Sequence, residues 1–197
     1  GTWLGELNPA HSARLGVLPA GQRVAIPAPA SNTVHTLAPY GERTGIRAIK
    51  LTTTGGVDYW LEYRTATGRD AWLGTPTNDN GLQQGVLLRR DRPGSRASVL
   101  LDASPAAASA WNSDWKAALP LGVPIALAGS SFTITVEAAG ASGASVRVST
   151  LAGDAACGAR SAVPSGGVAL LTAGGTTSAL VVGSDRGLWL RPIDGSS

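Results

Sequence analysis

Two histidines, His11 and His35, and one cysteine, Cys157, are the only imidazole and thiol side chains in this chain of 197 residues. A hydrolytic zinc centre needs three nitrogen, oxygen or sulfur ligands and an open position. His11 opens the run His11-Ser12-Ala13-Arg14-Leu15, which lacks the glutamate and second histidine of a His-Glu-x-x-His helix. It reads as a polar residue on a helix face, and His35 as a strand residue facing solvent or a partner strand. No Gly-x-Ser-x-Gly elbow occurs. Cys157 sits in a Gly/Ala-rich stretch with no base to polarise it, so it reads as an inert thiol. The glycines of Ala173-Gly174-Gly175-Thr176 lack the lysine and following helix of a phosphate loop. No catalytic or cofactor-binding residue is assigned.

Two other groups could hold a ligand. The oxygens of Asn78-Asp79-Asn80-Gly81 read first as a turn, since Asn and Asp tolerate left-handed backbone. Their second reading is a calcium-assisted loop that uses Asp79 and Asn80, with Asp102 as a further oxygen ligand. The run lacks the distal glutamate of an EF-hand, so calcium is the one cofactor considered and no other metal is. Trp111-Asn112-Ser113-Asp114-Trp115 spaces two indoles to share one face of a helical turn. Buried, Trp111 and Trp115 close an end of the core. Exposed, they form a platform for sugars or peptide aromatics.

The elements that position these residues follow from composition and period. Charged residues make up 15% of the chain, against about 25% in an average domain. The 43% apolar content is too high for wholesale disorder, and no apolar run is long enough for a membrane helix. The net charge is +3, and the densest basic run, Arg89-Arg90-Asp91-Arg92, is broken by an acid. That run reads as a solvated hairpin end rather than a nucleic-acid surface.

Asn8-Pro9 marks a helix start and Gly16 its stop. Beyond it the hydrophobic period switches to two. The runs 22–26, 33–37, 45–52, 57–64, 85–90, 97–102, 132–138 and 144–150 read as half-buried antiparallel strands. Gly140–Gly143 reads as a hairpin loop, and Thr53–Gly56 and Thr67–Asp70 as turns. The expected fold is mainly β: an antiparallel, jelly-roll-like β-sandwich with one short N-terminal helix. The expected organisation is a lead-in over 1–20, a sandwich over 21–150 and a linker over 151–167. A small β-sheet or partial propeller-like blade follows over 168–197, from the apolar runs 168–172, 178–183 and 187–192.

Several phrases, taken together, carry a resemblance. They are Glu6-Leu7-Asn8-Pro9-Ala10-His11 with Arg14–Gly21, Thr36-Leu37-Ala38-Pro39, and Gly45–Ile49. Others are Tyr59-Trp60-Leu61-Glu62-Tyr63-Arg64, Gly85–Arg89, Ser98–Asp102, Ala118–Gly122, and Phe132–Val136 with Gly143–Val148. Over about residues 4–150 the chain resembles the region that follows the catalytic centre in secreted bacterial zinc metallopeptidases of the gametolysin type. The Tyr59–Arg64 phrase is the most specific. In that family the zinc motif lies N-terminal to the helix matched here, so no zinc ligand carries over to any residue of this chain. The resemblance implies the last helix of a protease-like part and then its C-terminal sandwich. It also implies an extracellular protein whose signal segment is already removed.

The expected function is therefore a non-catalytic accessory module of a secreted metallopeptidase-like protein. It would brace the protease or hold a protein or polysaccharide substrate. One alternative is an extracellular structural protein that assembles with copies of itself through strand edges. A carbohydrate-binding module is a second. Neither nucleic acid nor a membrane span is expected.

Overall fold

A computed structural model describes residues 5–78, 82–103, 116–127 and 130–150, and the strands 169–173, 176–182 and 188–192. The chain divides into two compact units, Gly1–Ala152 and Gly153–Ser197.

The first unit opens with helix α1, Pro9–Arg14. Asn8 caps it by accepting from the His11 amide at 3.0 Å, and proline takes the first helical position, where its missing N–H is not needed. Gly16 ends it in the left-handed region at φ 71°, which a side chain would resist.

Among the described residues nine strands follow: β1 Arg23–Pro27, β2 Thr33–Leu37, β3 Ala48–Thr52, β4 Asp58–Arg64, β5 Gly85–Asp91, β6 Ser98–Leu101, β7 Ile125–Ala126, β8 Phe132–Gly140 and β9 Gly143–Thr150. They form a five-stranded sheet, β1-β3-β4-β5-β6, and a four-stranded sheet, β2-β9-β8-β7. One core joins the two. Leu51, Leu61, Tyr63 and Val86 from the first sheet pack with Leu37, Phe132, Ile134, Val136, Val146 and Val148 from the second. These are the alternate residues of each strand, as a half-buried pleat requires. The fold is a mainly β sandwich with one short N-terminal helix.

The β8–β9 hairpin turns between Gly140 and Gly143. Gly143 has φ 153°, and a Cβ there would lie 2.6 Å from the Leu37 carbonyl oxygen, so only glycine lets β2 pass.

One pairing departs from the antiparallel expectation: β1 and β3 run parallel. Strand β2 lies between them in sequence but belongs to the opposite sheet. The chain crosses to that sheet and returns, so β1 and β3 point the same way. The run 68–74 is a 3-10 helix, Gly68–Gly74, rather than only a turn. Strand β7 has two residues and carries no period that sequence could reveal.

In the second unit β10 Ala169–Ala173, β11 Thr176–Val182 and β12 Leu188–Pro192 form an antiparallel sheet in that order. The expected linker over 151–167 lies outside the described residues. Among the described residues no helix is long and apolar enough to cross a membrane.

Candidate functional site

Strand β4 is buried along nearly its whole length, on both faces. Tyr59, Leu61 and Tyr63 point into the sandwich core. Trp60, Glu62 and Arg64 point the other way, and there the N-terminal segment covers them. Ala10, Ala13 and Leu18 of the helical lead-in pack on Trp60 and Ala48. Below this apolar contact the same face carries charge. Glu62 is 0% exposed, Asp70 3% and Arg64 7%.

These charges survive burial because they are paired and hydrogen-bonded. The Arg64 guanidinium donates to Glu62 Oε2 from Nε at 2.9 Å and from Nη2 at 2.6 Å. Its Nη1 donates to Asp70 Oδ2 at 2.8 Å and to the Glu6 carbonyl at 3.0 Å, and Nη2 reaches the Leu7 carbonyl at 3.3 Å. Arg89, on the neighbouring strand β5, donates from Nε to Glu62 Oε1 at 2.7 Å. Asp70 Oδ1 accepts from the Glu6 amide at 3.0 Å. Two carboxylates thus face two guanidinium groups. Burial disfavours the charge on Arg64, but the Glu62 and Asp70 carboxylates outweigh it and raise its pKa above the ordinary value.

Tyr40 completes the cluster. Its amide donates to the Tyr63 carbonyl at 2.7 Å, and Arg47 and Arg64 lie 4.6 Å and 5.0 Å from its ring centre. Burial pushes the Tyr40 phenol up, Glu62 adds to this, and Ser12, Arg47 and Arg64 oppose it. The hydroxyl is buried beside Ser12 and meets no partner at hydrogen-bonding geometry among the described residues, and Ser12 Oγ donates to the Leu7 carbonyl at 3.4 Å.

The arrangement grips backbone. Arg64 and Asp70 take both carbonyls and one amide of Glu6-Leu7, and Gly5 passes so near that a Cβ would lie 2.8 Å from Asp70 Oδ1. Each carboxylate oxygen of the cluster accepts from an arginine or from the Glu6 amide. The cluster clamps the incoming chain. A cleft of about 180 Å³ adjoins it, walled by Trp72, Leu82, Leu87 and Leu100.

Asp79, Asn80, Trp111 and Trp115 lie outside the described residues. Asn78, just before them, closes its loop: Oδ1 accepts from the Leu82 amide at 3.0 Å, and Nδ2 donates to the Leu73 carbonyl at 3.2 Å. Asp102 is exposed. Among the described residues no group of three or more His, Cys, Asp or Glu side chains could hold a metal ion. His11 is half-buried, with Nδ1 beside Asn8 Nδ2 at 3.0 Å and Nε2 beside the Arg96 carbonyl at 3.1 Å, and His35 contacts Thr33 Oγ1 at 2.9 Å. Arg89-Arg90-Asp91-Arg92 is not simply solvated. Arg89 is held by Glu62, Asp91 pairs with Arg14 at 2.7 Å, and Arg90 lies 6.0 Å from the Tyr59 ring centre.

The clamp escaped the sequence reading in part. The alternation in Tyr59–Arg64 already places Glu62 and Arg64 together on one face, two residues apart. Nothing local signals that residues 5–7 cover them or that Asp70 turns inward. The family models, curated proteins and solved structures compared with this chain give no match.

Proposed function

We propose that the sandwich is a non-catalytic accessory module of a secreted, metallopeptidase-like protein, and that it braces the part of the protein that leads into it. The observation that supports this is the clamp. Buried Arg64, on β4, and buried Asp70, on the 3-10 helix that follows it, bind the backbone of Glu6 and Leu7 at three points. A sheet that grips its incoming chain this way transmits rigidity to whatever domain precedes it. The resemblance over residues 4–150 implies a zinc peptidase in that position and a protein outside the cell.

The test begins with the intact mass and N-terminal sequence of the natural secreted protein. A longer parent with a His-Glu-x-x-His segment upstream of Gly1 is expected. In that parent, Arg64→Leu should shorten the thermal half-life of peptidase activity while leaving kcat/KM at low temperature unchanged. A natural polypeptide with no preceding domain would overturn the reading, and so would a half-life indifferent to the clamp.

A second reading is assembly of copies through strand edges. It is favoured by the small sheet of the second unit, where β10 and β12 are outermost and pair with no further strand among the described residues. Concentration-dependent oligomers that vanish when residues 168–197 are deleted would support it.

A further inference from the structure

We propose that a second cleft, lined in part by the clamped residues Gly5, Glu6 and Leu7, is a binding site for an acidic peptide segment. The cleft measures about 440 Å³, within the ~300–1,000 Å³ range of ligand sites. Three arginines line it, Arg43, Arg47 and Arg69, against a single acid, Glu6.

The arginines differ in how they are held. Arg47 is fixed: Nε donates to the Tyr40 carbonyl at 2.8 Å, Nη1 to Gln22 Oε1 at 3.1 Å, and the guanidinium lies over the Tyr40 ring. It supplies a set positive charge at the cleft wall. Arg43 and Arg69 are exposed, and the Arg69 side chain retains 74% of its accessible surface. Gln22 binds the Arg43 backbone carbonyl, which fixes the base of that side chain and leaves its end free to reach a ligand. Planar guanidinium groups recognise carboxylates in a bidentate way. Within the cleft Arg69 already faces one carboxylate, since Glu6 Oε1 lies 3.8 Å from Arg69 Nε, a single loose ion-pair contact.

The walls decide among anions. Leu7 and Val17 line the same cleft and are 48% and 60% exposed. A bare inorganic anion would leave them wet. Nucleic-acid bases and sugar rings bind on aromatic faces, and no aromatic side chain is among the described lining residues. A ligand that carries both carboxylates and aliphatic groups fits, and a peptide with alternating acidic and aliphatic residues provides them. The site lies within the sandwich unit, so it stands apart from the bracing reading and does not need a preceding protease.

The probe is a short fluorescent peptide alternating glutamate and leucine, titrated into the full chain and followed by anisotropy. Saturable binding that weakens with salt is expected, and the matched glutamine–leucine peptide should bind at least about tenfold more weakly. Arg43→Ala with Arg69→Ala should cost about tenfold in affinity and reduce the salt dependence. Glu6→Gln, which keeps the clamped backbone but removes the resident carboxylate, should tighten binding about threefold. A gain of affinity cannot come from a damaged fold. Absence of binding, equal binding of the glutamine peptide, or indifference to all three substitutions overturns the proposal. So does tighter binding of a sulfated polysaccharide or of a single-stranded oligonucleotide.

Discussion

The two faces of the five-stranded sheet solve the same problem with opposite chemistry. Toward the sandwich, β4 offers Tyr59, Leu61 and Tyr63, and the contact is an apolar core. On the other face it offers Trp60, Glu62 and Arg64: Ala10, Ala13 and Leu18 pack on Trp60, and Glu62, Arg64, Asp70 and Arg89 form a neutral cluster of four charges against Glu6 and Leu7. Apolar packing is non-directional and tolerates any partner of suitable shape. A buried ion cluster does not. It is stable only with all of its partners in place, and removal of one leaves the others uncompensated. The inner face holds the fold together, and the outer face specifies which segment of chain lies on it.

The largest effect should come from breaking the cluster at its centre. Glu62→Ala strands Arg64 and Arg89 with only Asp70 to offset them. It should cost about 3–5 kcal/mol of unfolding free energy, measured by urea denaturation. Glu62→Gln keeps the shape and part of the hydrogen bonding and should cost less. Leu61→Ala, the next residue but on the opposite face and 0% exposed, should cost about 2–5 kcal/mol through the cavity it leaves. Near-equal losses from adjacent residues would show that both faces are sealed. A loss under about 1 kcal/mol for Glu62→Ala would break the comparison.

Asp70→Ala separates the faces more finely. It removes one carboxylate from Arg64 and the acceptor of the Glu6 amide, at a cost of about 1–3 kcal/mol. Amide hydrogen exchange should show Glu6 losing protection while Leu61 keeps it, because the strap opens without the sandwich. Uniform loss of protection would mean that the strap and the sandwich open as one unit.

The inner face was legible in the sequence and the outer one only by halves. Phe132, Ile134 and Val136 alternate with Thr133 and Thr135, and that period alone predicts which side of β8 is buried. The same period separates Glu62 and Arg64 from Leu61 and Tyr63. It does not say whether the polar side meets water or protein. The covering residues lie more than fifty positions earlier in the chain, and a strand's own pattern carries no record of them. The parallel pairing of β1 with β3 was hidden for a related reason, since it depends on which sheet β2 joins. Asp70 was masked by its setting, because a Thr-Gly-Arg-Asp run has turn chemistry whether its carboxylate is solvated or buried. The ligand candidates Asp79, Asn80, Trp111 and Trp115 lie outside the described residues, and their assignments rest on sequence alone.

Tyr40 tests the outer face through pH. Its pKa is raised in the folded chain above the ordinary 10.0. The folded state therefore holds the phenolic proton more tightly than the unfolded state does. The stability linked to it is complete below about pH 10 and is lost as pH rises from there through the folded pKa. Tyr40→Phe should change stability by under about 1 kcal/mol at neutral pH, since the hydroxyl it removes has no hydrogen-bond partner among the described residues. The variant should lose less stability than the parent on going to alkaline pH. A parallel pair of stability curves would place the Tyr40 ring outside the sealed region.

The smallest effect belongs to a pair that looks similar to the clamp and is not. Arg147 and Glu137 meet at 2.5 Å on the four-stranded sheet, shorter than any contact Arg64 makes, but their side chains are 41% and 32% exposed. Water screens that pair in the folded state, and both partners are well solvated when it breaks. A double-mutant cycle with Arg147→Ala and Glu137→Ala should give a coupling of about 0.2–1 kcal/mol that fades in high salt. The same cycle on Arg64 and Glu62 should give several-fold more and keep most of it in salt. Equal couplings would mean that burial contributes nothing to the clamp and that distance alone sets the strength of both pairs.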